Sequence, residues 1–518
     1  MKKIYIILAA AAVMTACLKD LDQNPATPTE TSPSQVYSTP EGVKMVLAKL
    51  YASYCIAGQE KGGGNSDLSS NMGQDFLRCY WNLQECPTDE VACTWLSGDK
   101  VADITYMTWD ASDPWVADVY YRLYYTIALC NEFLRHKEDY ASLPESATYE
   151  SEARFLRALA YWAVLDLFGQ GPYVDETMAV GVFTPEAYDS KKLFSFIESE
   201  LKDITLPSRT AVEYGRASEA AGWFLLARLY LNAEVYGAGD HNTDCITMCR
   251  KIRGAGYSLE SDYHKLFNAD NHLRTNEIIL PFVVDAENTV SWGATTYMVC
   301  GQVGNDNAQN PAVYGLDKGW GMFRVRGELP ALWGDVKTTG DIRCSFYTDG
   351  TTQWFTGNID DQAQGYFSEK WSNLKDDGSI ASASAESGVC TDWPMFRLAD
   401  AYLMEAEAVL RGGTGTSRAE ALSLVNDLRK RAYGDATGNV ADSEFDLGFI
   451  RDERARELYH EAVRRTDLRR FGVFTGKGYI WQWKGGVLDG QAVDDKYAVY
   501  PIPAAELTVN TNLKNEKY

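Results

Sequence analysis

The chain has 518 residues and carries 49 lysines and arginines against 72 aspartates and glutamates, a formal net charge of −23 at pH 7. This balance excludes a nucleic-acid partner, because phosphate binding needs a basic surface that releases counterions. An anionic membrane surface would repel the folded body for the same reason. Hydrophobic residues make up 45% of the chain and aromatic residues 12%. This composition predicts a globular protein and favours an uncharged polar ligand such as a sugar, on whose C–H faces rings stack.

The N-terminal residues have the features of an export signal. Two lysines precede the apolar run from Ile4 to Val13, which is too short for a membrane span because a bilayer crossing needs about 20 apolar residues. The small residues before Cys17 resemble a bacterial lipobox. We therefore predict a signal peptide over residues 1–16, a lipid on Cys17 and a polar tether over residues 17–34. The alternative is an ordinary signal peptide that is cut before an unmodified Cys17.

The other ten cysteines show no spacing of the kind that defines a disulfide scaffold. We expect most of them to be buried free thiols. His241, Cys245 and Cys249 recur every four residues and would share one face of a helix. Zinc sites usually have a tighter cysteine spacing and a second ligand pair, which the neighbouring sequence lacks. We therefore predict no metal and no cofactor.

Helical patterns follow the tether. Pro40 opens a helix that continues to Tyr51 with apolar residues at helical spacing. Three later segments combine large rings with alanines that let a neighbouring helix approach closely: 155–162, 223–233 and 396–406. This alternation resembles that of tetratricopeptide helices, although its spacing is irregular. We predict a mainly α fold of tetratricopeptide-like helix pairs, in a single domain over residues 35–518.

Residues from about 278 to 385 differ from the rest of the chain in composition. This segment holds short β-prone runs such as 278–284 and loops rich in glycine and asparagine such as 301–307. We predict a long, loop-rich insertion that carries short strands. Binding residues tend to lie on loops that a rigid scaffold holds in place.

Three motifs, in the right order, resemble the SusD/RagB family along nearly the whole chain. They are the helical string 152–169, the charged string 453–469 and the closing string 497–512. Residues 513–518 depart from the family's usual ending, and Ala462 stands where glycine is commoner. The charged string alternates acids and bases three and four residues apart, which favours salt-bridged helix faces over a catalytic carboxylate cluster.

The resemblance implies a function in glycan uptake. Members of this family are outer-membrane lipoproteins of Bacteroidetes that bind glycans at the cell surface and work with a TonB-dependent porin of the SusC type. The acidic stretch from Leu18 to Asp22 resembles the signal that marks such lipoproteins for surface export. The resemblance therefore implies an outer-membrane location, a lipid anchor and a porin partner.

A further set of strings resembles the starch-binding members of the family. In those members an arc of aromatic rings follows the curve of an α-glucan helix, and flanking polar groups hydrogen-bond sugar hydroxyls. Ser70 and Gly98 stand where the resemblance implies a carboxylate and an amide, so their neighbours are candidate substitutes. The ligand-binding residues that the resemblance implies, with these substitutes, are Trp95, Trp292, Trp320, Arg78, Asn71 and Asp99.

Two readings of these tryptophans stay open at this point, because a single tryptophan is more often buried in a core than displayed. Glycines beside Trp292 and Trp320 favour binding loops. The predicted function is non-catalytic capture of starch or malto-oligosaccharides and their delivery to a SusC-like porin. The alternative is a helical glycoside hydrolase acting on the same polysaccharides, which needs two suitably spaced carboxylates. A tetratricopeptide-like adaptor for peptides is disfavoured by the long aromatic insertion.

Overall fold

The computed structural model describes residues 32–60, 66–68, 72–181, 183–305, 309–382 and 388–518. Helices dominate this part of the chain, which confirms the predicted mainly α fold. The α-helices are α1 (Pro33–Tyr37), α2 (Pro40–Ala52), α3 (Phe76–Glu85), α4 (Ala102–Tyr106), α5 (Pro114–Arg135), α6 (Lys137–Tyr140), α7 (Ser146–Phe168), α8 (Ser190–Asp203), α9 (Glu219–Leu231), α10 (Asn242–Gly254), α11 (Ala294–Gly301), α12 (Glu328–Ala331), α13 (Leu398–Leu410), α14 (Arg418–Tyr433), α15 (Leu447–Leu458), α16 (Arg464–Arg470) and α17 (Ala504–Val509).

The long helices pack against their neighbours in chain order, as helix pairs do in tetratricopeptide proteins. α5 packs on α7, α7 on α8, α9 on α10, α10 on α13, and α13 on both α14 and α15. The predicted helices at 40–51 and 155–162 fall inside α2 and α7, and the one predicted at 223–233 ends at Leu231. Small residues such as Ala158 and Ala227 are fully buried at these contacts. The alanines therefore do what their pattern predicted, which is to let helices approach.

The helix predicted at 396–406 begins two residues later in the structure. Phe396 and Arg397 lie in a strand, and the helix starts at Leu398, whose N–H donates to the Glu277 carbonyl at 3.0 Å. The Arg397 guanidinium is buried among carboxylates and donates to Glu461 at 2.6 Å. Tertiary pairing thus overrides the local helical pattern at these two residues.

The strands form four two-stranded antiparallel pairs: β1 with β5, β2 with β3, β4 with β8, and β6 with β7. In the β4–β8 pair Phe282 lies opposite Trp393, so the insertion leaves and re-enters the helical scaffold at adjacent residues. The strands are β1 (Val91–Cys93), β2 (Gln170–Pro172), β3 (Ala187–Asp189), β4 (Ile278–Phe282), β5 (Phe323–Val325), β6 (Phe346–Tyr347), β7 (Phe367–Ser368) and β8 (Trp393–Arg397).

The insertion carries the predicted short strands and also helices that its sequence did not predict. β4, β5, β6 and β7 confirm the β-prone runs. α11, however, forms at Ala294–Gly301 and is buried along its whole length. A short apolar run of this length fits a buried strand and a buried helix equally well, so tertiary packing decides between them.

The charged string forms a buried ion network. Glu457 on α15 accepts from Arg397 at 2.6 Å and from Arg343 at 3.0 Å, and it also pairs with Arg431. Burial alone would raise the pKa of Glu457, but the guanidinium groups, led by Arg431, lower it strongly. Most of these pairs join different elements rather than one helix face. The predicted salt bridges therefore form, but between elements inside the protein and not along single helix faces as the spacing predicted.

The ten cysteines of the described residues are free thiols, eight of them buried and Cys344 and Cys390 half-buried. His241 turns towards Asp244, with 2.8 Å between Nδ1 and Oδ2, and lies over the Tyr230 ring. Within the described ranges no group of three His, Cys, Asp or Glu side chains is arranged to hold a metal ion.

Candidate functional site

The β1–β5 pair brings two of the predicted tryptophans to one end of the same small sheet. Cys93 lies opposite Phe323, so the chain leaving β1 and the chain entering β5 run side by side. Beyond the strands the pairing continues, because the Thr94 N–H donates to the Met322 carbonyl at 2.7 Å. Trp95 follows β1 by two residues and Trp320 precedes β5 by three. The antiparallel register therefore places both rings at one edge.

The Trp320 segment is also fixed to the end of α11. The Trp320 N–H donates to the Cys300 carbonyl at 2.8 Å. The N–H groups of the next two residues, 321 and 322, donate to the carbonyls of residues 303 and 301. A Cβ at Gly319 would overlap the Val303 carbonyl. This glycine beside Trp320 is thus explained by close backbone approach.

The third tryptophan is positioned by the buried carboxylate of Asp75. Asp75 caps α3 by accepting from the Arg78 N–H at 2.9 Å, and it also accepts from the Ala294 N–H at 3.2 Å and from the Ser291 hydroxyl. A Cβ at Gly293 would collide with this carboxylate. The loop that carries Trp292 is therefore fastened to the N-terminus of α3 on both sides of the ring. Burial raises the pKa of Asp75, against the lowering effect of these hydrogen bonds.

Arg78 joins the loop of Trp292 to the loop of Asp99, which follows Trp95. Its Nη1 donates to the Trp292 carbonyl at 2.9 Å, and its Nη2 pairs with the Asp99 carboxylate. The guanidinium also lies 4.3 Å from the centroid of Tyr297. Trp115 supports the other side of the loop, because its Nε1 donates to the Asp99 carbonyl at 2.8 Å. Arg78 is 4% exposed, and its buried Nε has no hydrogen-bond partner among the described residues.

These loops enclose an open groove of about 390 Å³. Trp95 and Trp292 are 40% and 51% exposed, while Trp320 is half-buried and packs against the main core. Within the described residues neither exposed ring packs on another aromatic ring. The lining residues are Gln74, Arg78, Trp95, Asp99, Trp292, Lys318, Trp320 and Met322.

The groove brings together five of the six predicted ligand-binding residues. Asn71 lies outside the described residues, as does Cys17. Gln74, Lys318 and Met322 line the groove but were missed in the sequence analysis. Gln74 and Lys318 stand close in sequence to Arg78 and Trp320, and this proximity is the signal that could have identified them.

The geometry suits a neutral ligand with flat apolar faces and many hydroxyls. The three rings offer stacking surfaces, and the polar groups of Gln74, Asp99 and Lys318 lie beside them. Asp99 is the one carboxylate among the described lining residues, and Arg78 neutralises it. An arrangement of this kind can bind and orient a ligand.

Comparison with known proteins places the chain in a family. The sequence model described as the SusD family matches residues 293–518. The starch-binding protein SusD of Bacteroides thetaiotaomicron is 34% identical, over 99% of this chain and 98% of that protein. The SusD-like protein P25 of Formosa agariphila is 25% identical, over 98% of this chain and 96% of that protein.

Solved structures share the fold. The surface glycan-binding protein A of Bacteroides thetaiotaomicron, in complex with laminarihexaose, matches with a TM-score of 0.70 at 16% identity, over 92% of this chain and all of that chain. A surface glycan-binding protein A from Bacteroides fluxus matches with a TM-score of 0.69 at 18% identity, over 93% of this chain and 100% of that chain. Among the described residues no helix is both long and apolar enough to cross a bilayer. The chain belongs to the SusD family.

Proposed function

We propose that this protein is a non-catalytic glycan-binding protein that captures starch or malto-oligosaccharides at the cell surface. The observation that carries the proposal is the groove, in which tryptophans from three separate loops lie around Arg78 and Asp99. Each stacked sugar contributes on the order of 1 kcal/mol. Several such contacts on one chain give useful affinity while each single contact stays weak.

Starch is the favoured ligand because the 34% identical relative is named a starch-binding protein. In addition, three of the groove residues match strings of the starch-binding members, namely Trp95, Trp292 and Trp320. Laminarin is the second candidate, since one solved structure of the same fold is described as binding laminarin. Both are neutral glucans, which suits a body with a net charge of −23.

The proposed absence of catalysis rests on the carboxylates of the groove. Glycoside hydrolysis by the usual mechanism needs two carboxyl groups about 5 to 9.5 Å apart. Asp99 is one carboxylate, and it is paired with Arg78. The hydrolase alternative therefore lacks a second carboxylate among the described lining residues.

The proposed location is the outer membrane, through a lipid on Cys17. In this proposal residues 1–16 are removed, residues 17–34 form the tether and residues 35–518 form the binding domain. A SusC-like TonB-dependent porin would receive the glycan. Expression of the full-length protein in a Bacteroidetes host tests the anchor, because Cys17→Ser should abolish labelling by a palmitate analogue and release the protein from the outer membrane.

The binding proposal is tested by affinity electrophoresis in gels that contain starch, laminarin or dextran. We expect retardation in starch, and we expect Trp292→Ala to abolish most of it. Trp223→Ala, which removes a half-buried ring of α9 outside the groove, is the control for loss of a tryptophan. Equal migration of the wild type in starch and ligand-free gels would refute starch binding, and release of reducing ends from starch would refute the non-catalytic role.

A further inference from the structure

Trp354 is a third well-exposed tryptophan and lies outside the groove. It is 43% exposed, against 40% for Trp95 and 51% for Trp292. Each of the other tryptophans is buried or half-buried. Leaving an indole in water forgoes the free energy that its burial would supply. An exposed tryptophan on an ordered loop is therefore a feature to explain.

The ring of Trp354 rests on a glycine. A Cβ at Gly327 would overlap the Cε3, Cδ2 and Cζ3 atoms of the indole, so the six-membered ring lies directly against the Gly327 backbone. Gly327 itself is buried beneath the ring. One side of the indole is thus supported by the main chain, and the exposed surface is available to solvent.

The loop around Trp354 is held at both sides of the ring. Before it, the Gln353 side chain donates to the Gly327 carbonyl at 2.9 Å. After it, the Gln482 amide accepts from the Phe355 N–H at 3.0 Å and donates to the Phe355 carbonyl at 2.8 Å. The Phe355 side chain is 2% exposed and anchors the loop in the protein. These contacts pre-organise the ring, so a ligand would not have to order it.

The loop of Trp354 is coupled to the groove by two routes. Phe355 packs in the same small apolar cluster as Leu96, the neighbour of Trp95. Gly327 follows β5 by two residues, and Trp320 precedes β5 by three. The two residues are seven positions apart in sequence, so at about 3.3 Å per extended residue their Cα atoms lie at most about 23 Å apart. A polysaccharide longer than this span can contact both places.

We infer that Trp354 is a second, outlying contact for the same neutral polysaccharide, separate from the groove. This inference rests on the proposed function. The ring supplies one stacking platform, and the strongly negative net charge disfavours an anionic polymer. One ring binds weakly by itself, but a polymer held in the groove presents further sugars to it at high effective concentration. Trp354 thus adds affinity for long chains and none for short ones.

The test compares a polymer with a short oligomer. Retardation in soluble-starch gels measures binding of the polymer, and isothermal titration with maltopentaose measures binding of the oligomer. We expect Trp354→Ala to weaken starch binding about three- to tenfold and to change maltopentaose affinity less than twofold. Phe183→Ala is the matched control, because Phe183 is 47% exposed and lies in a different loop, and it should change neither measurement.

A second variant tests the support of the ring. Gly327→Ala should displace the indole and reproduce the starch defect of Trp354→Ala, with maltopentaose binding retained as the sign of a folded groove. Trp354→Ala that binds starch as tightly as the wild type would overturn the inference and leave the proposed function intact. A wild type that binds neither starch nor laminarin nor their oligomers would overturn both.

Discussion

The buried ion network around Glu457 and the open groove beside β1 and β5 use the same residue types in opposite ways. In the network, Arg397 is surrounded by carboxylates, and nearby Trp371 and Trp393 stack on each other at 5.2 Å. In the groove, Arg78 holds two loops together, while two of the tryptophans keep exposed faces. The difference shows that residue type does not determine a role here. A ring is available to a ligand where the fold provides support for one side and no partner for the other.

The largest expected effect lies in the network. Glu457→Ala leaves Arg343, Arg397 and Arg431 short of a buried counter-charge, so we expect the free energy of unfolding to fall by about 3–5 kcal/mol. Urea denaturation measures this free energy of unfolding. Glu138→Ala, at an exposed position, is the control. The comparison breaks if Glu457→Ala unfolds like the wild type, or if its folded fraction loses glycan binding.

A pair of tryptophan variants separates the two regions directly. Trp393→Ala removes a buried ring and should lower the free energy of unfolding by about 3–5 kcal/mol. Trp292→Ala removes an exposed ring and should leave stability nearly unchanged while weakening glycan binding about tenfold, which is about 1.4 kcal/mol. Thermal unfolding and titration calorimetry on both variants give four measurements. A crossed result, with Trp292→Ala unstable but binding normally, would contradict the assignment of the groove.

The carboxyl groups of the network should also respond to pH differently from a buried carboxyl group that has no arginine partner. Arginines lower the pKa of Glu457 and Glu453 despite their burial, so neither titrates near neutral pH. Asp113 caps α5, one of its oxygens has no described partner, and burial raises its pKa to about 7. Between about pH 4 and 7 the folded state then binds a proton that the unfolded state has lost, so stability falls as pH rises across this window and levels off above it.

We expect this fall to amount to about 4 kcal/mol, because each unit of pKa difference between the folded and unfolded states corresponds to about 1.4 kcal/mol. Asp113→Asn keeps the helix cap and removes the ionisation, so its stability should depend less on pH over the same range. Chemical denaturation at pH 4, 5.5, 7 and 8 on both proteins checks this. Identical pH profiles would show that Asp113 does not carry the effect.

The smallest effect tests the support beneath Trp292. The Ser291 hydroxyl donates to Asp75 and accepts from the Gly293 N–H at 2.9 Å. Ser291→Ala loosens this loop without touching the ring, so we expect about threefold weaker glycan binding, and the quenching of tryptophan fluorescence by acrylamide should increase. Ser218→Ala, which removes a buried hydroxyl of the α9 N-terminus, should change neither. Unaltered affinity in Ser291→Ala would indicate that the backbone alone positions Trp292.

Much of the fold could be predicted from the sequence because helical periodicity is local. α2 follows from Pro40 and the apolar residues at helical spacing after it, and α7 and α9 follow from ring and alanine spacing within each segment. Phe396 and Arg397 were assigned wrongly because their strand pairs with β4, more than a hundred residues earlier. α11 could not be predicted, since its apolar run is too short to distinguish helix from strand.

The groove was partly predictable for a different reason. Gly293 and Gly319 mark close backbone approaches beside two of its rings, and a sequence displays such glycines openly. Trp354 carries no such mark, because its supporting glycine lies 27 residues earlier at Gly327. The role of Asp75 in fixing the Trp292 loop could not be predicted either, because its partners Ser291 and Ala294 come from the distant insertion.

The pairing of Phe282 with Trp393 has a consequence for how the lining of the groove could change in evolution. Residues 283–392 begin and end side by side, so exchanging them between relatives would add little loop-closure entropy. Such an exchange would replace Trp292 and Trp320 together with Trp354, while Arg78 and Trp95 stayed behind on the scaffold. New specificities could therefore arise by recombination of one half of the groove, with the helical body inherited unchanged.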